Sequence, residues 1–211
     1  LTSVPFKIGE LLYLIYTDGL FQSIRLHYFK KTFLQYTQGP ETRVLDYGCG
    51  PGDALQICKD LAIQAEGVDS YDYSIELARK RGLKIHKADY NSLPFEKKSF
   101  DIILLQSVLE HMKDPVEAVS RLKEYLKPGG VLILSSPTPG PHFWDDPTHI
   151  RPYTPKSFHT LAGLTEMKVI KVNYIFSHLL GLTLTASWIY KILNILPFSL
   201  GSNILGVFRN K

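Results

Sequence analysis

Between residues 41 and 137 apolar positions come in short blocks, each followed by a turn signal and then by a stretch with helical spacing. Arg43-Val44-Leu45-Asp46 is the first block. A short apolar run bounded by turn residues reads as a buried strand. A helix is expected at about 53–63, a second strand from Ala65 to Val68 ending on Asp69, and a helix from Tyr73 to Arg81 that Gly82 stops. Lys84 to Lys87 reads as a third strand ending on Asp89, and Asp101 to Leu105 as a fourth. A helix at about 115–126 closes on Lys127-Pro128-Gly129-Gly130, and Val131 to Ser135 is the fifth strand. Such alternation predicts an α/β fold, a parallel sheet with helices on both faces. Upstream, residues 6–36 have helical spacing with a break at Asp18-Gly19. Downstream, residues 137–155 form a proline-rich loop, 156–163 a short helix, and 166–175 and 203–209 two last strands around an apolar stretch, 177–196. The 211 residues fit one domain: N-terminal helices in 1–40, a core in 41–137 and a further section in 138–211.

The chemistry concentrates at the first turn, Asp46-Tyr47-Gly48-Cys49-Gly50-Pro51-Gly52. Glycines after a strand let a ligand approach the backbone where a side chain would collide. The helix start that follows offers N–H groups to polar ligand atoms. In an open parallel sheet the ligand crevice lies beyond the carboxyl ends of the strands. Asp46, Asp69 and Asp89 all close predicted strands, so their carboxylates are expected at that edge. The glycine spacing departs from the dinucleotide fingerprint G-x-G-x-x-G, because position 53 is Asp.

Val44-Leu45-Asp46-Tyr47-Gly48-Cys49-Gly50-Pro51-Gly52 instead resembles the first motif of class I S-adenosylmethionine-dependent methyltransferases, of the ubiquinone-type, methyltransferase-11-like subgroup. Further blocks resemble that family in order: Gly67-Val68-Asp69, Ala88-Asp89, Leu93-Pro94-Phe95, Ser99-Phe100-Asp101, Gln106 to His111, and Leu126 to Gly130. The resemblance implies a Rossmann-like doubly wound, mostly parallel seven-stranded sheet whose last strand is antiparallel. It implies S-adenosylmethionine as cofactor, held by Asp46, Tyr47, Gly48, Gly50, Gly52, Asp69, Ser70, Asp89, Tyr90 and Gln106, with Asp69 on the ribose hydroxyls and Asp89 and Tyr90 near adenine. Each has a plainer reading. Asp46 holds the turn, Asp69 caps a helix, Asp89 is a loop carboxylate, Gln106 bonds only to backbone, and Tyr90 is core.

Methyl transfer from a sulfonium is an in-line displacement in which the cofactor carries the hard chemistry. The protein aligns the acceptor, excludes water and removes a proton where one must leave. Trp144-Asp145-Asp146-Pro147-Thr148-His149-Ile150-Arg151-Pro152-Tyr153 is too polar and stiff for an indifferent connector. His149 is the general-base candidate, Asp145 or Asp146 its orienting partner, and Arg151 a holder of an anionic acceptor group. His111, after the fourth strand, joins them as an active-site candidate. The plainer reading has His149 and Arg151 pinning the loop by hydrogen bonds and an ion pair with Asp145 or Asp146, and His111 as a solvated or capping residue. Asp145, Asp146 and His149 are ligand types for a metal, but the transfer needs none and none is expected. The expected acceptor is a small molecule or a glycan- or lipid-type compound. The rival function is a cofactor-binding domain of the same fold without catalysis.

Charge changes the picture only locally. The net charge is +4, yet residues 151–211 hold seven Lys and Arg against Glu166 alone. That is either a solvated basic edge or an attraction to an anionic surface. Scattered basic residues argue against nucleic acid. Tyr174 to Tyr190 carries no charged residue, so 177–196 is a core or lid helix or a lipid-contacting one. Cys49 and Cys58 suggest no disulfide, and reduced thiols fit a cytoplasmic protein, membrane-peripheral through 177–196 if that helix meets lipid. The first residues lack a signal-peptide pattern. Oligomeric state is not legible.

Overall fold

The computed structural model describes residues 29–176 and 202–211. A seven-stranded sheet carries the chain: β1 (Arg43–Tyr47), β2 (Gln64–Asp69), β3 (Ile85–Lys87), β4 (Phe100–Gln106), β5 (Leu126–Pro137), β6 (Lys168–Phe176) and β7 (Ser202–Arg209), in the order β3-β2-β1-β4-β5-β7-β6. Neighbours from β3 through β5 pair in parallel, and β7 runs antiparallel to both β5 and β6. The helices are α1 (29–34), α2 (Asp53–Asp60), α3 (Asp72–Lys80), α4 (Pro115–Lys123) and α5 (Pro155–Leu164).

The central strands are apolar throughout because both faces are covered. On β4, Ile103 and Leu105 join a core with Ala118, Val119 and Leu122 of α4 and Phe158 and Leu161 of α5. Ile102 and Leu104 face the other way, onto Phe29 and Phe33 of α1 and Ala54 and Cys58 of α2. Alternation at period two thus builds two layers from one strand. Helix α5 lies close on β7: a Cβ on Gly206 would stand 2.7 Å from Phe158 Cδ2.

Several boundaries differ from expectation. Helix α2 ends at Asp60 and α4 at Lys123, each a short distance before the apolar spacing runs out. Strand β5 starts at Leu126, not Val131. Phe100 pairs with Leu126 and Ile102 with Val131, so Lys127 to Gly130 bulge out within the pairing rather than precede it. Gly129 takes φ +77 there, and Lys127 Nζ holds the Asp101 carboxylate at 2.9 and 2.8 Å. The proline-rich loop contains a short 3-10 turn, Pro141–Asp145. The expected helices before residue 29 and the apolar stretch 177–196 lie outside the described residues. Among the described residues, no helix is long and apolar enough to cross a membrane.

Candidate functional site

Parallel pairing of β1 with β2 and β4 brings the carboxyl ends of three strands together. From Gly48 the chain turns sharply. Gly48 and Cys49 donate to Val68 O at 2.8 and 3.1 Å, and Gly52 donates to Cys49 O at 2.9 Å. Gly48, Gly50 and Gly52 take φ +70, +52 and +87, a region that disfavours side chains. Their surroundings differ. A Cβ on Gly48 would meet Val108 Cγ2 at 2.5 Å, and one on Gly52 would meet Leu83 Cδ1 at 2.4 Å, whereas one on Gly50 would meet nothing within 4 Å. Gly50 therefore borders open space, and the other two glycines let the turn pack.

Asp69, half-buried at the end of β2, is tied to this turn. Its Oδ2 accepts Gly50 N–H at 2.8 Å and its Oδ1 accepts Tyr71 N–H at 2.8 Å. The N-cap of α3 is Tyr71, with no side-chain cap, so Asp69 is not a helix cap. Each carboxylate oxygen keeps lone-pair capacity for a ligand hydroxyl. Asp46 is almost fully buried. Burial, then the charges of Asp69 and Asp53, push its carboxyl up to about 7. Tyr47, also buried, is pushed up to about 12, chiefly by burial.

The other expected cofactor residues lie at the same edge. Ser70 is exposed beside Asp69. Asp89 is exposed two residues beyond β3, where its Oδ1 accepts Asn91 N–H at 2.7 Å; Tyr90 packs partly buried against the core. Gln106 ends β4, and Ser107 after it takes φ +52. A left-handed serine is a strained conformation held by its surroundings, here by a hydrogen bond to Ser135 O at 3.0 Å. Supporting parts were not foreseen. Arg81 Nη1 donates to Pro51 O at 2.7 Å and Asp53 Oδ1 at 2.9 Å, clamping the turn to the start of α2. On Gly67 a Cβ would stand 2.7 Å from Cys49 Sγ. Only the glycine itself hinted at that close approach in the sequence.

The loop after β5 folds back onto the 3-10 turn Leu109–His111 that follows β4. Ile150 N–H donates to Glu110 O at 2.7 Å, and Tyr153 Oη donates to Leu109 O at 3.3 Å. His111 and His149 thereby come together, ring centroids 4.8 Å apart. His149 Nδ1 lies 2.6 Å from Phe143 O, which can only accept, so Nδ1 carries the proton. Thr148 Oγ1 gives its hydrogen to Asp146 Oδ1 at 2.6 Å and so presents a lone pair to His111 Nδ1 at 2.9 Å; Thr148 O also accepts from that nitrogen at 3.3 Å. His111 Nδ1 is protonated by the same logic. Hydrogen bonds from Thr148, with help from the two imidazoles, hold Asp146 below the usual carboxylate range. Asp146 Oδ2 stands 3.8 Å from His149 Nε2, so the expected orienting partner is beside the ring, but the hydrogen bond that orients it comes from Phe143 O. Arg151 Nη2 donates to Lys113 O at 3.3 Å. Glu110, passed over in the sequence, is fully buried, and it, His111 and His149 bring ligand-type atoms within 4.8 Å of one another. Its burial follows from the docked loop, which the local pattern does not reveal.

Residues 21–172 match the profile of a methyltransferase domain. A ubiquinone biosynthesis O-methyltransferase of Bordetella pertussis is 33% identical over 101 residues, 44% of this chain and 42% of that protein. An uncharacterized 37.1 kDa transposon protein of Streptomyces fradiae is 30% identical over 142 residues, 63% of this chain and 40% of its own length. The chain thus spans about two-fifths of the length of these curated relatives. Among solved structures, a SAM dependent methyltransferase from Archaeoglobus fulgidus superposes with TM-score 0.69 at 21% identity, covering 95% of this chain and 99% of that one.

Proposed function

The chain belongs to the family of S-adenosylmethionine-dependent methyltransferase domains, and on that premise we propose that it methylates a small-molecule or glycan- or lipid-type acceptor held beneath the loop 141–153. The observation that carries the reading is the cradle at Gly50: a left-handed glycine open on one side, with Asp69 locked beside it. That cradle fits the cofactor. Gly48, Gly50 and Gly52 shape the backbone beneath it, Asp69 and Ser70 face its ribose, Asp89 and Tyr90 line the adenine side, and Gln106, at the end of β4 across β1, borders the other side. Bound S-adenosylmethionine supplies an activated methyl group.

The chain's own residues do the rest. The loop 141–153 covers the same strand ends and excludes water from the acceptor. His149 has its Nδ1 proton committed to Phe143 O, so it can take a proton only at Nε2. We assign that nitrogen to an acceptor that must lose a proton, and Arg151 and His111 to the acceptor's polar groups. The test is incubation of the protein with labelled cofactor and fractionated extracts. A compound gaining one methyl group is the expected result. Tight cofactor binding with no methylated product in any fraction would favour a cofactor-binding domain without catalysis. Sedimentation with anionic vesicles, weakened by salt, would add membrane contact through 177–196.

A further inference from the structure

We propose that Glu110, His111 and His149 bind one divalent transition-metal ion, whose open positions take oxygen atoms of the acceptor. The inference rests on the reading of the 141–153 loop as the acceptor side and gives that side a ligand chemistry.

Three observations lead to it. The candidate ligand atoms lie within 4.8 Å of one another. Bonds of about 2.0–2.2 Å to one ion place its ligands roughly 3–4.4 Å apart, so small side-chain rotations close the site. Both imidazoles are already oriented as metal ligands usually are, with the second ring nitrogen hydrogen-bonded to a carbonyl or hydroxyl oxygen. Phe143 O holds His149 Nδ1–H, and Thr148 holds His111 Nδ1–H. Each ring therefore offers its Nε2 lone pair. Glu110 is fully buried, where desolvation disfavours a carboxylate and a neighbouring cation favours it.

The donor set selects the ion. Two imidazoles and one carboxylate suit Mn²⁺, Fe²⁺, Co²⁺ or Zn²⁺, whereas Mg²⁺ and Ca²⁺ prefer oxygen ligands throughout. Three protein ligands leave positions for exogenous oxygen, as in catalytic rather than structural sites. With the ion bound, His149 Nε2 would be a ligand in place of the base role assigned above, and the ion would orient an acceptor hydroxyl and make it more acidic, so that its proton can pass to solvent.

Titration of the full chain with Co²⁺, followed by visible absorption, tests the site. The expected result is saturation at one ion per chain. Glu110→Gln and His149→Ala should each weaken binding by at least about tenfold. Thr148→Val leaves all three ligands in place but removes the hydroxyl that orients His111, and should weaken binding about 10–100-fold. Cofactor binding by calorimetry, unchanged in each variant, shows that the fold is intact; should a ligand variant lose it, Thr148→Val decides. Failure of the chain to saturate with one ion, or equal Co²⁺ affinity in wild type and folded variants, overturns the proposal. In that case methyl transfer in chelator-treated buffer would leave His149 as the free base and the methyltransferase reading standing. Loss of cofactor binding by the wild type would instead defeat the earlier reading.

Discussion

Asp46 sits where a strand-end carboxylate meets the turn, and its burial makes it a proton store. Its ordinary value is 3.8 and the folded chain pushes it up to about 7. A raised carboxyl means that the folded state binds the proton more tightly than the unfolded one. Its contribution to stability is therefore full below about pH 4 and is lost as pH rises through about 7. Asp46→Asn cannot ionise. Without cofactor, the variant should melt at a higher temperature than wild type near pH 8, by the equivalent of a few kcal/mol. The difference should vanish toward pH 4. Melts across that range check this, and a pH-independent offset would place the cause elsewhere. Asp69 lends itself to a different measurement. If its free lone pairs accept ribose hydroxyls, Asp69→Ala should weaken cofactor binding by about 2–4 kcal/mol. Calorimetry showing a change under about 0.5 kcal/mol would leave it as a brace for Gly50 and Tyr71 alone. Both aspartates were legible in the sequence because an acid directly after an apolar run marks a strand end. Glu110 was not, since nothing local distinguishes it from the exposed Lys113 and Asp114 that follow.

At the scale of the element, the glycine turn divides its labour. Gly48 and Gly52 carry positive φ and close contacts, Gly50 positive φ and open space. Gly48→Ala should destabilise the fold by about 1–3 kcal/mol, from strain and from collision with Val108. Gly50→Ala should cost only about 1–2 kcal/mol, for the left-handed backbone, yet cut cofactor affinity severely. Urea unfolding and calorimetry on the pair check this, and equal effects of both variants on both quantities would dissolve the distinction. The strands and helices from 43 to 137 were legible because each carries its own apolar block and stop signal. The start of β5 was not. Lys127-Pro128-Gly129-Gly130 has the composition of a turn, and only the pairing of Leu126 with Phe100 across the sheet turns it into a bulge.

For the molecule as a whole, the proposed function builds the cofactor and acceptor sides from different segments: the first from residues 46–70, 89–90 and 106, the second from 109–111 and 143–153. Their properties should separate. His149→Ala should lower methyl transfer by roughly 10²–10⁴-fold while cofactor affinity stays within about twofold. Parallel measurement of turnover and binding checks it, and a matching loss of both would show that the two sides are one unit. The position of the loop was legible in outline, because it follows β5 and must hang over the strand ends. The meeting of His111 with His149 was not, because it depends on a contact across 38 positions of chain. The sheet order adds a constraint on time. Strand β7 lies between β5 and β6, although it follows both in the chain, and it joins residues 131–137 to residues 203–209. During synthesis β1 to β5 can assemble as each emerges, but β6 has no partner until β7 leaves the ribosome. A half-made chain therefore exposes the edge of β5 and an idle β6, both open to pairing with a neighbouring nascent chain. This half of the molecule completes last and is where crowding on a polysome would do the most harm.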